Sequence, residues 1–529
     1  MLPISPQFDA ALRVVEKLRA AGYEAYLAGG CVRDLLLGRV PKDYDVTTSA
    51  TPEVVLGLFE RTFAVGAHFG VVLVADGDCE GYMTTEVATF RSDGAYSDGR
   101  HPDAVRYTTS AEEDVKRRDF TINGLLLDPL RGAELQNAGP STTLCSAQDE
   151  GSKRTHPSHK GKDVARVGHP DFLLEAEIQD AGPTTSLRSG QDDKSNSIQQ
   201  PLRSAAIDFV GGGRDLDAGV IRAIGRAEER FEEDRLRMLR GVRFAARFGF
   251  EIEDGTKAAM RGLAGRISAV SRERVRDELT KMLTEGRARR AFELLDETGL
   301  LVEVLPEVAK MKGVEQPPQF HPEGDVWTHT LLLLAQLEAG CSLTLAWGAL
   351  LHDVGKPPTF RRAPDRIRFD GHVEVGVAMA AEICRRFRFS NEETRQTLAL
   401  IENHMRFMDA GRMKASTLKR FFRLEGFEEH LALHRMDCLA GSGNLEHWEF
   451  VRERWLAMPE ETVRPKPLLT GRELIAAGYK PGVGFKEMLR AAEDAQLEGT
   501  IGTAAEALRL VRERFPEAKG GDPNDAARL

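Results

Sequence analysis

Two aspartates one residue apart, Asp43 and Asp45, lie in the stretch LAGGCVRDLLLGRVPKDYDVTT that spans residues 27–48. On a strand, residues i and i+2 face the same side, so both carboxylates can hold the same ions. Upstream, Gly29 and Gly30 let the backbone come close to a bulky anion, and Arg33 adds a fixed positive charge near it. Each feature alone is commonplace, since a D-x-D pair is most often a solvated turn. Their joint order and spacing is what metal-assisted phosphoryl transfer requires. Mg²⁺ takes carboxylate oxygens plus substrate phosphates, and a two-ion site stabilises the attacking and the leaving oxygen together.

The stretch resembles the first catalytic motif of the class II tRNA nucleotidyltransferase and bacterial poly(A) polymerase family, a branch of the polymerase-β-like nucleotidyltransferases. Residues 112–127, EEDVKRRDFTINGLLL, read by themselves as an N-capped helix with a charged first turn. RRDFTIN matches the second motif of that family almost letter for letter. The resemblance implies that Arg118, with Arg117, contacts a triphosphate, and that Asp119 and Asn123 help to shape the site.

Residues 232–249, EEDRLRMLRGVRFAARFG, have the apolar spacing of one amphipathic helix. Asp234 and Arg237, three apart, lie about 60° apart on such a helix and can approach one object together. Arg240 and Arg243 step round by the same angle, so the four do not share one narrow face. In the family, E-D-x-x-R hydrogen-bonds the incoming base in place of a template strand. Asp accepts from an exocyclic amine and Arg donates to ring acceptors, which implies a choice of CTP and ATP over UTP and GTP. Asp234, Arg237, Arg240 and Arg243 are therefore candidate nucleotide-binding residues.

A second constellation begins at about Gly313: His329 in VWTHTL, His352-Asp353 in ALLHDVGKP, His372 in DGHVEVG, His404 in IENHM and Asp437 in HRMDCLAG. A lone histidine on an apolar helix is usually a core residue, but here histidines recur beside helical apolar runs. The pattern resembles the HD phosphohydrolase superfamily, whose histidines and aspartates bind one or two divalent metals. Imidazole plus carboxylate suits Ni, Mn, Fe, Co or Zn better than Mg. Water bound there is acidified for attack on a phosphoester.

Around these residues the chain must build positioning elements. Residues 8–20 have helical apolar spacing, and Thr51-Pro52-Glu53 reads as a capped helix start. GVVLVA (70–75) and TEVATF (85–90) read as strands. The second carries Glu86, which the polymerase-β resemblance implies as a third metal carboxylate. RSDGAYSDGRHPDAVRY (91–107) reads as a mobile loop. From 133 to 204 the composition turns to Ser, Thr, Gln, Gly, Asp and Lys, with one short apolar piece at 172–178, and predicts a disordered insertion. In the family, DPLRG runs almost directly into IDFVGGGRDLDAGVIRAIG. SRERVRDELTK (271–281) resembles a following helix that positions the site. Lys480-Pro481-Gly482 reads as a turn between two helices, and the last ten residues as frayed.

The expected fold class is α+β: a polymerase-β-like nucleotidyltransferase head of mixed sheet and helices (1–132 and 205–226) flanking the insertion (133–204). An all-helical neck and body (227–312), a helical HD domain (313–460) and a helical tail (461–529) follow. The resemblance implies addition of CMP and AMP from CTP and ATP to the 3′ end of tRNA lacking CCA. Mg²⁺ is expected at the head and a divalent transition metal at the HD site. Poly(A) addition, or addition of only part of CCA, is the alternative within that chemistry. An HD hydrolase or RNA-binding protein with an inactive head is the alternative outside it, against which the intact D-x-D and R-R-D stand.

Composition narrows the setting. A net charge of −10 over 529 residues excludes wholesale coating of nucleic acid, so RNA contact must come from a local basic surface. The six cysteines include no C-x-x-C pair, which argues against a zinc ribbon or disulfide framework and suits a reducing cytoplasm. No signal peptide is read at the amino terminus, and no apolar run reaches the roughly 18 residues of a membrane span.

Overall fold

The computed structural model describes residues 5–64, 70–76, 83–93, 105–131, 202–319 and 321–516. The insertion expected at 133–204 lies almost wholly outside the described residues, as do most of the expected loop at 91–107 and the last ten residues. Leu202, the first described residue after the gap, is buried. The chain divides into two compact units. The first takes Met1–Arg91, Tyr107–Val115 and Asn123–Phe209, and the second takes Ser92–Arg106, Lys116–Ile122 and Val210–Leu529.

The first unit is built on a seven-stranded sheet. Its strands are β1 (Ala25–Ala28), β2 (Asp45–Thr48), β3 (Thr62–Phe63), β4 (Val71–Asp76), β5 (Met83–Thr89) and two short strands, Leu126–Leu127 and Ala206–Ile207. The order is β3-β4-β5-β2-β1, followed by the two short strands. β2 and β5 run parallel while the other neighbours are antiparallel, so the sheet is mixed. Burial alternates along β5: Thr85, Val87 and Thr89 are buried, and Thr84 and Glu86 are exposed. That alternation leaves Glu86 on the open face. Helix Pro6–Ala20 packs on the sheet with Phe8, Ala11, Val14, Val15 and Leu18 buried. Each fully buried Val or Leu there contributes about 2 kcal/mol. The Ser5 hydroxyl caps this helix by accepting from the Phe8 amide.

In the second unit, Lys116–Ile122 is held by a backbone ladder. The Thr121 amide donates to the Arg222 carbonyl (2.9 Å) and the Ile224 amide to the Asp119 carbonyl (3.1 Å), on either side of a Phe120–Ala223 bridge. Residues 232–249 form the end of one helix and a second helix, rather than the single helix expected. These are Ala227–Glu233 and Leu236–Phe248, with Asp234 extended between them at φ −140° and ψ 104°. The cause is Asp234 itself. Its Oδ1 accepts from the Leu236 amide (3.1 Å), a local bond that competes with helix continuation. The expected 60° relation of Asp234 to Arg237 therefore does not apply.

Leu236–Phe248 buries Leu236, Met238, Leu239, Val242 and Phe244 and stops at Gly249, whose φ of 72° favours glycine. A Cβ on Gly241 would come within 2.5 Å of Met260 Cε and 2.8 Å of Phe120 Cζ. The missing side chain is what lets Phe120 seat against this helix. Helices Arg272–Thr284 and Ala288–Glu297 pack on it in turn.

A helical bundle follows, comprising Val326–Leu334, Leu343–Leu351, His372–Arg386, Asn391–Asn403 and Phe427–Ala440. Its core includes Leu333, Trp347, Leu350, Ile383, Leu400 and Ile401. Asp325, Ser342 and Ser390 cap the first, second and fourth of these helices, the last in a capping box with Glu393. Helices Gly471–Ala476 and Gly484–Glu498 lie on either side of the turn expected at 480–482. No helix among the described residues is long and apolar enough to cross a membrane.

Candidate active site and metal centre

In the first unit, the parallel register of β2 and β5 sets Asp45 directly beside Glu86. Asp43 lies two residues before β2 rather than on it, so the alternation argument does not by itself place the aspartate pair. Its nearness to Glu86 is visible electrostatically. The Glu86 carboxyl keeps solvent access yet is shifted upward, first by partial desolvation and then by the Asp43 charge. Gly29 precedes helix Gly30–Leu36 at φ 73° and ψ −129°, and its amide donates to the Leu125 carbonyl (3.4 Å). Gly30 opens that helix. Arg33 is 5 % exposed; its Nε donates to Asp34 Oδ1 (2.9 Å) and its Nη1 to Asn123 Oδ1 (2.6 Å). Thus Arg33 and Asn123, from two separate motifs, meet at one guanidinium.

The second unit gathers the remaining head candidates. Asp119 Oδ2 accepts from Arg240 Nε (2.9 Å) and Nη2 (2.8 Å), and Asp119 Oδ1 accepts from the Phe120 amide. Burial opposes the Arg240 charge, but Asp119 and then Glu278 outweigh it and hold its pKa above the ordinary value. Arg237 donates to Glu233 Oε2 (2.6 Å) and, through Nη2, to the Arg117 carbonyl (3.1 Å). Asp234 Oδ2 accepts from Arg274 Nη2 (2.8 Å), a partner the sequence reading did not single out. Arg243 turns away to Glu278 (2.7 Å) and Glu285 (3.4 Å), with its cation over the Phe244 ring. Arg118 belongs to the same segment as Arg117 and Asp119.

The six residues singled out in the bundle lie together. His352, His372 and His404 aim Nε2 at Asp353, at 3.1, 3.9 and 4.0 Å. His329 Nε2 lies 2.9 Å from Asp437 Oδ1 and 4.0 Å from Asp353. The Nε2 atoms of His352, His372 and His404 are buried without a hydrogen-bond partner. Buried imidazole nitrogens left bare around a carboxylate could hold a metal ion.

The protein's own cations flank the carboxylates of this cluster. Lys356 Nζ, itself buried, lies 2.7 Å from Asp353 and donates to Gln316 Oε1 (2.7 Å). Burial raises the carboxyl of Asp353, but His352 and Lys356 reverse this and hold it well below the usual carboxylate range. Asp437 is likewise lowered against its burial, chiefly by the hydrogen bond from His329. Burial opposes the His329 charge too, but Asp437 and Glu323 raise its pKa to about 9, whereas at His404 burial outweighs the opposing pull of Asp353 and pushes the pKa down to about 4.

Gly355 permits the assembly. A Cβ there would lie 2.1 Å from the His372 carbonyl and 2.6 Å from the Gly376 amide, so only glycine lets helix His372–Arg386 approach Asp353. A cavity of about 390 Å³ opens on the cluster, lined among others by His321, Arg366, Arg368, Phe369 and Met405. His321 and Glu323, beside His329, were not singled out from the sequence because they carry no spacing signal.

Comparison with known proteins gives three family matches: the Poly A polymerase head domain over residues 25–138, the probable RNA and SrmB-binding site of polymerase A over 249–312, and the HD domain over 326–435. The CCA-adding enzyme of Geobacillus kaustophilus (strain HTA426) is 33% identical over 317 residues, 60% of this chain and 59% of that enzyme. That of Geobacillus thermodenitrificans (strain NG80-2) is 33% identical over 56% of this chain and 54% of the enzyme, so the chain spans little over half the length of these relatives. The CCA-adding enzyme of Streptococcus thermophilus (strain CNRZ 1066) is 28% identical over 95% of this chain and 96% of its own. Among solved structures, the Bacillus stearothermophilus CCA-adding enzyme in complex with CTP has a TM-score of 0.63 at 25% identity, covering 97% of this chain and 99% of that one. The Thermotoga maritima CCA-adding enzyme complexed with tRNA is alike in fold, with a TM-score of 0.52 at 17% identity over 97% and 96% of the two chains.

Proposed function

We propose that this chain, which matches the Poly A polymerase head, its RNA-binding region and an HD domain, is a class II tRNA nucleotidyltransferase that adds CMP and AMP from CTP and ATP to the 3′ end of tRNA. The observation that carries this reading is the register of β2 and β5, which sets Asp45 beside Glu86 with Asp43 near enough to disturb the Glu86 charge. Three hard carboxylates, Asp45 and Glu86 on neighbouring strands and Asp43 just before β2, fit Mg²⁺. When bound, the ions supply activation of the 3′ hydroxyl and charge neutralisation on the triphosphate.

The chain's own groups supply binding and selection. Arg33 and Arg118 bind phosphate oxygens, and Gly29 and Gly30 let backbone approach them. Arg117 and Asp119 anchor Arg237 and Arg240, and Asn123 orients Arg33. Asp234 accepts from the amine of the incoming base and Arg237 donates to its ring, after exchanging their present partners Arg274 and Glu233. Arg243, tied to Glu278, supports that helix.

At the bundle, His329, His352, Asp353, His372, His404 and Asp437 would hold a divalent transition metal (Ni, Mn, Fe, Co or Zn) and support hydrolysis of a phosphoester as a second activity. The donor chemistry fits, since bare imidazole nitrogens favour such ions over Mg²⁺. A tRNA-processing role fits a cytoplasmic location. The test is to incubate the protein with tRNAs ending before CCA, after C and after CC, supplying each nucleotide separately. Stepwise C, C, then A supports CCA addition; A alone on every end supports polyadenylation; no incorporation removes the reading.

A further inference from the structure

The four histidines of the bundle cluster are not held alike. His352 directs Nδ1 at the Ala349 carbonyl (2.9 Å), His372 at the Phe369 carbonyl (3.0 Å) and His404 at the Ile401 carbonyl (2.6 Å). A carbonyl only accepts, so each of these rings carries its proton on Nδ1 and keeps Nε2 bare. For His329 the carbonyl three residues back belongs to Val326, and it takes the Thr330 hydroxyl instead (2.8 Å). The His329 Nδ1 faces a carboxylate, Glu323 Oε1, at 2.7 Å. The same oxygen lies 2.8 Å from Nδ1 of His321, whose ring stands edge-on to His329 with centroids 4.8 Å apart. The Glu323 side chain is 6 % exposed, and its Oε2 has no hydrogen-bond partner.

We infer that Glu323 is the positioning residue of this metal centre: its carboxylate fixes the tautomer and ring orientation of His329 and shares that hold with His321. The inference rests on the metal reading of the cluster. A carboxylate behind a ligating imidazole makes the imidazole a stronger donor than a carbonyl does, and loss of such a partner typically lowers metal affinity 10–100-fold. His329 is the ring that needs the help, since its Nε2 lies nearer to Asp437 than to Asp353 and must serve both sides of the site. A separate ion held by His321, Glu323 and His329 is the competing arrangement, because their donor atoms lie within 4.8 Å of one another. That arrangement would place metal on both nitrogens of His329, and Nε2 is already committed to the Asp437 side. Glu323 therefore acts through His329.

The experiment compares wild-type protein with Glu323→Ala, Glu323→Gln and His329→Ala, each loaded with Mn²⁺ or Zn²⁺ and dialysed against graded chelator. Metal content and nucleotide addition are measured on the same preparations. Glu323→Ala should lose affinity 10–100-fold, keep the wild-type stoichiometry at saturating metal, and add nucleotides normally. Glu323→Gln, nearly isosteric and still able to accept one N–H, should fall between the two, which guards against an Ala variant that fails to fold. Wild-type affinity in both Glu323 variants overturns the inference while leaving the cluster a metal site. An equivalent of metal missing at saturation in Glu323→Ala overturns it in favour of direct ligation. No metal in the wild type, or none lost in His329→Ala, overturns the reading of the site itself.

Discussion

The two candidate sites of this chain are made of different material. The first-unit site has carboxylates at an open sheet face, where Asp43 and Glu86 are exposed and Asp45 half-buried. The bundle site has imidazoles and carboxylates sunk in a core, with His329, His352, Asp353 and His404 all at most 3 % exposed. An open set of hard oxygens suits a site whose other ligands arrive with each substrate. A buried set of bare nitrogens suits an ion that stays. The difference also decides what a mutation does. Exposed carboxylates contribute little packing, while each buried partner leaves an uncompensated charge behind when it is removed.

The sharpest contrast is expected from the carboxylates proposed as catalytic. Asp43→Ala or Asp45→Ala should lower nucleotide addition at least about 1,000-fold, on the scale of several kcal/mol of lost transition-state stabilisation. The melting temperature should stay within about 0.5 kcal/mol equivalent, as for other surface changes. Addition at a near wild-type rate would remove the assignment.

Next in size is His352→Ala with Asp353→Ala. Removing Asp353 leaves Lys356 buried without its acid, at a cost of about 3–5 kcal/mol, and bound metal and hydrolysis should be lost. Nucleotide addition by the folded double variant should survive; its loss would mean the two sites are coupled. Smaller still is Gly241→Ala. The added methyl meets Met260 and Phe120, so stability should fall by about 1–3 kcal/mol. Addition should weaken because Phe120 adjoins Asp119, and a neutral result would show that this seat is unimportant.

A contrast in pH dependence concerns His430, which is buried and whose pKa burial pushes down to about 4, against 6.5 for an ordinary histidine. Its folded pKa lies below the unfolded one, so its share of stability is complete above pH 6.5 and is lost as pH falls toward 4. Each unit of depression corresponds to about 1.4 kcal/mol. His430→Leu should flatten denaturation midpoints across that window; an unchanged pH profile would mean the imidazole is not forced to stay neutral.

How much could be read in the sequence follows the same division. Individual strands and helices were legible because β-branched runs and apolar helical spacing are local signals, as at Val71–Val74 and Leu331–Leu334, while their assembly into a mixed sheet and a helical bundle followed from the resemblance of the motifs. The grouping of bundle histidines was legible because each sits beside such a run. What escaped was through-space. The helix break at Asp234 comes from its own side chain and from Arg274, forty positions on, while the periodicity of 232–249 continues straight through it. Arg33 reads as a fixed charge near a phosphate, but its burial between Asp34 and Asn123, the latter ninety residues away in sequence, is not visible there. Glu323 matches no motif, since its meaning lies in the two imidazoles it faces.

The central claim is that nucleotide addition belongs to the open carboxylate site alone. Its most direct test is a single-turnover assay on tRNA ending before CCA, with CTP and ATP, using protein stripped of transition metal and then supplied only with Mg²⁺. If that holds, the stripped wild type gives full C, C, A extension with phosphoester hydrolysis absent, and stripped Asp45→Ala gives no extension. Extension by the Asp45 variant, or failure of the stripped wild type until a transition metal is restored, would contradict it.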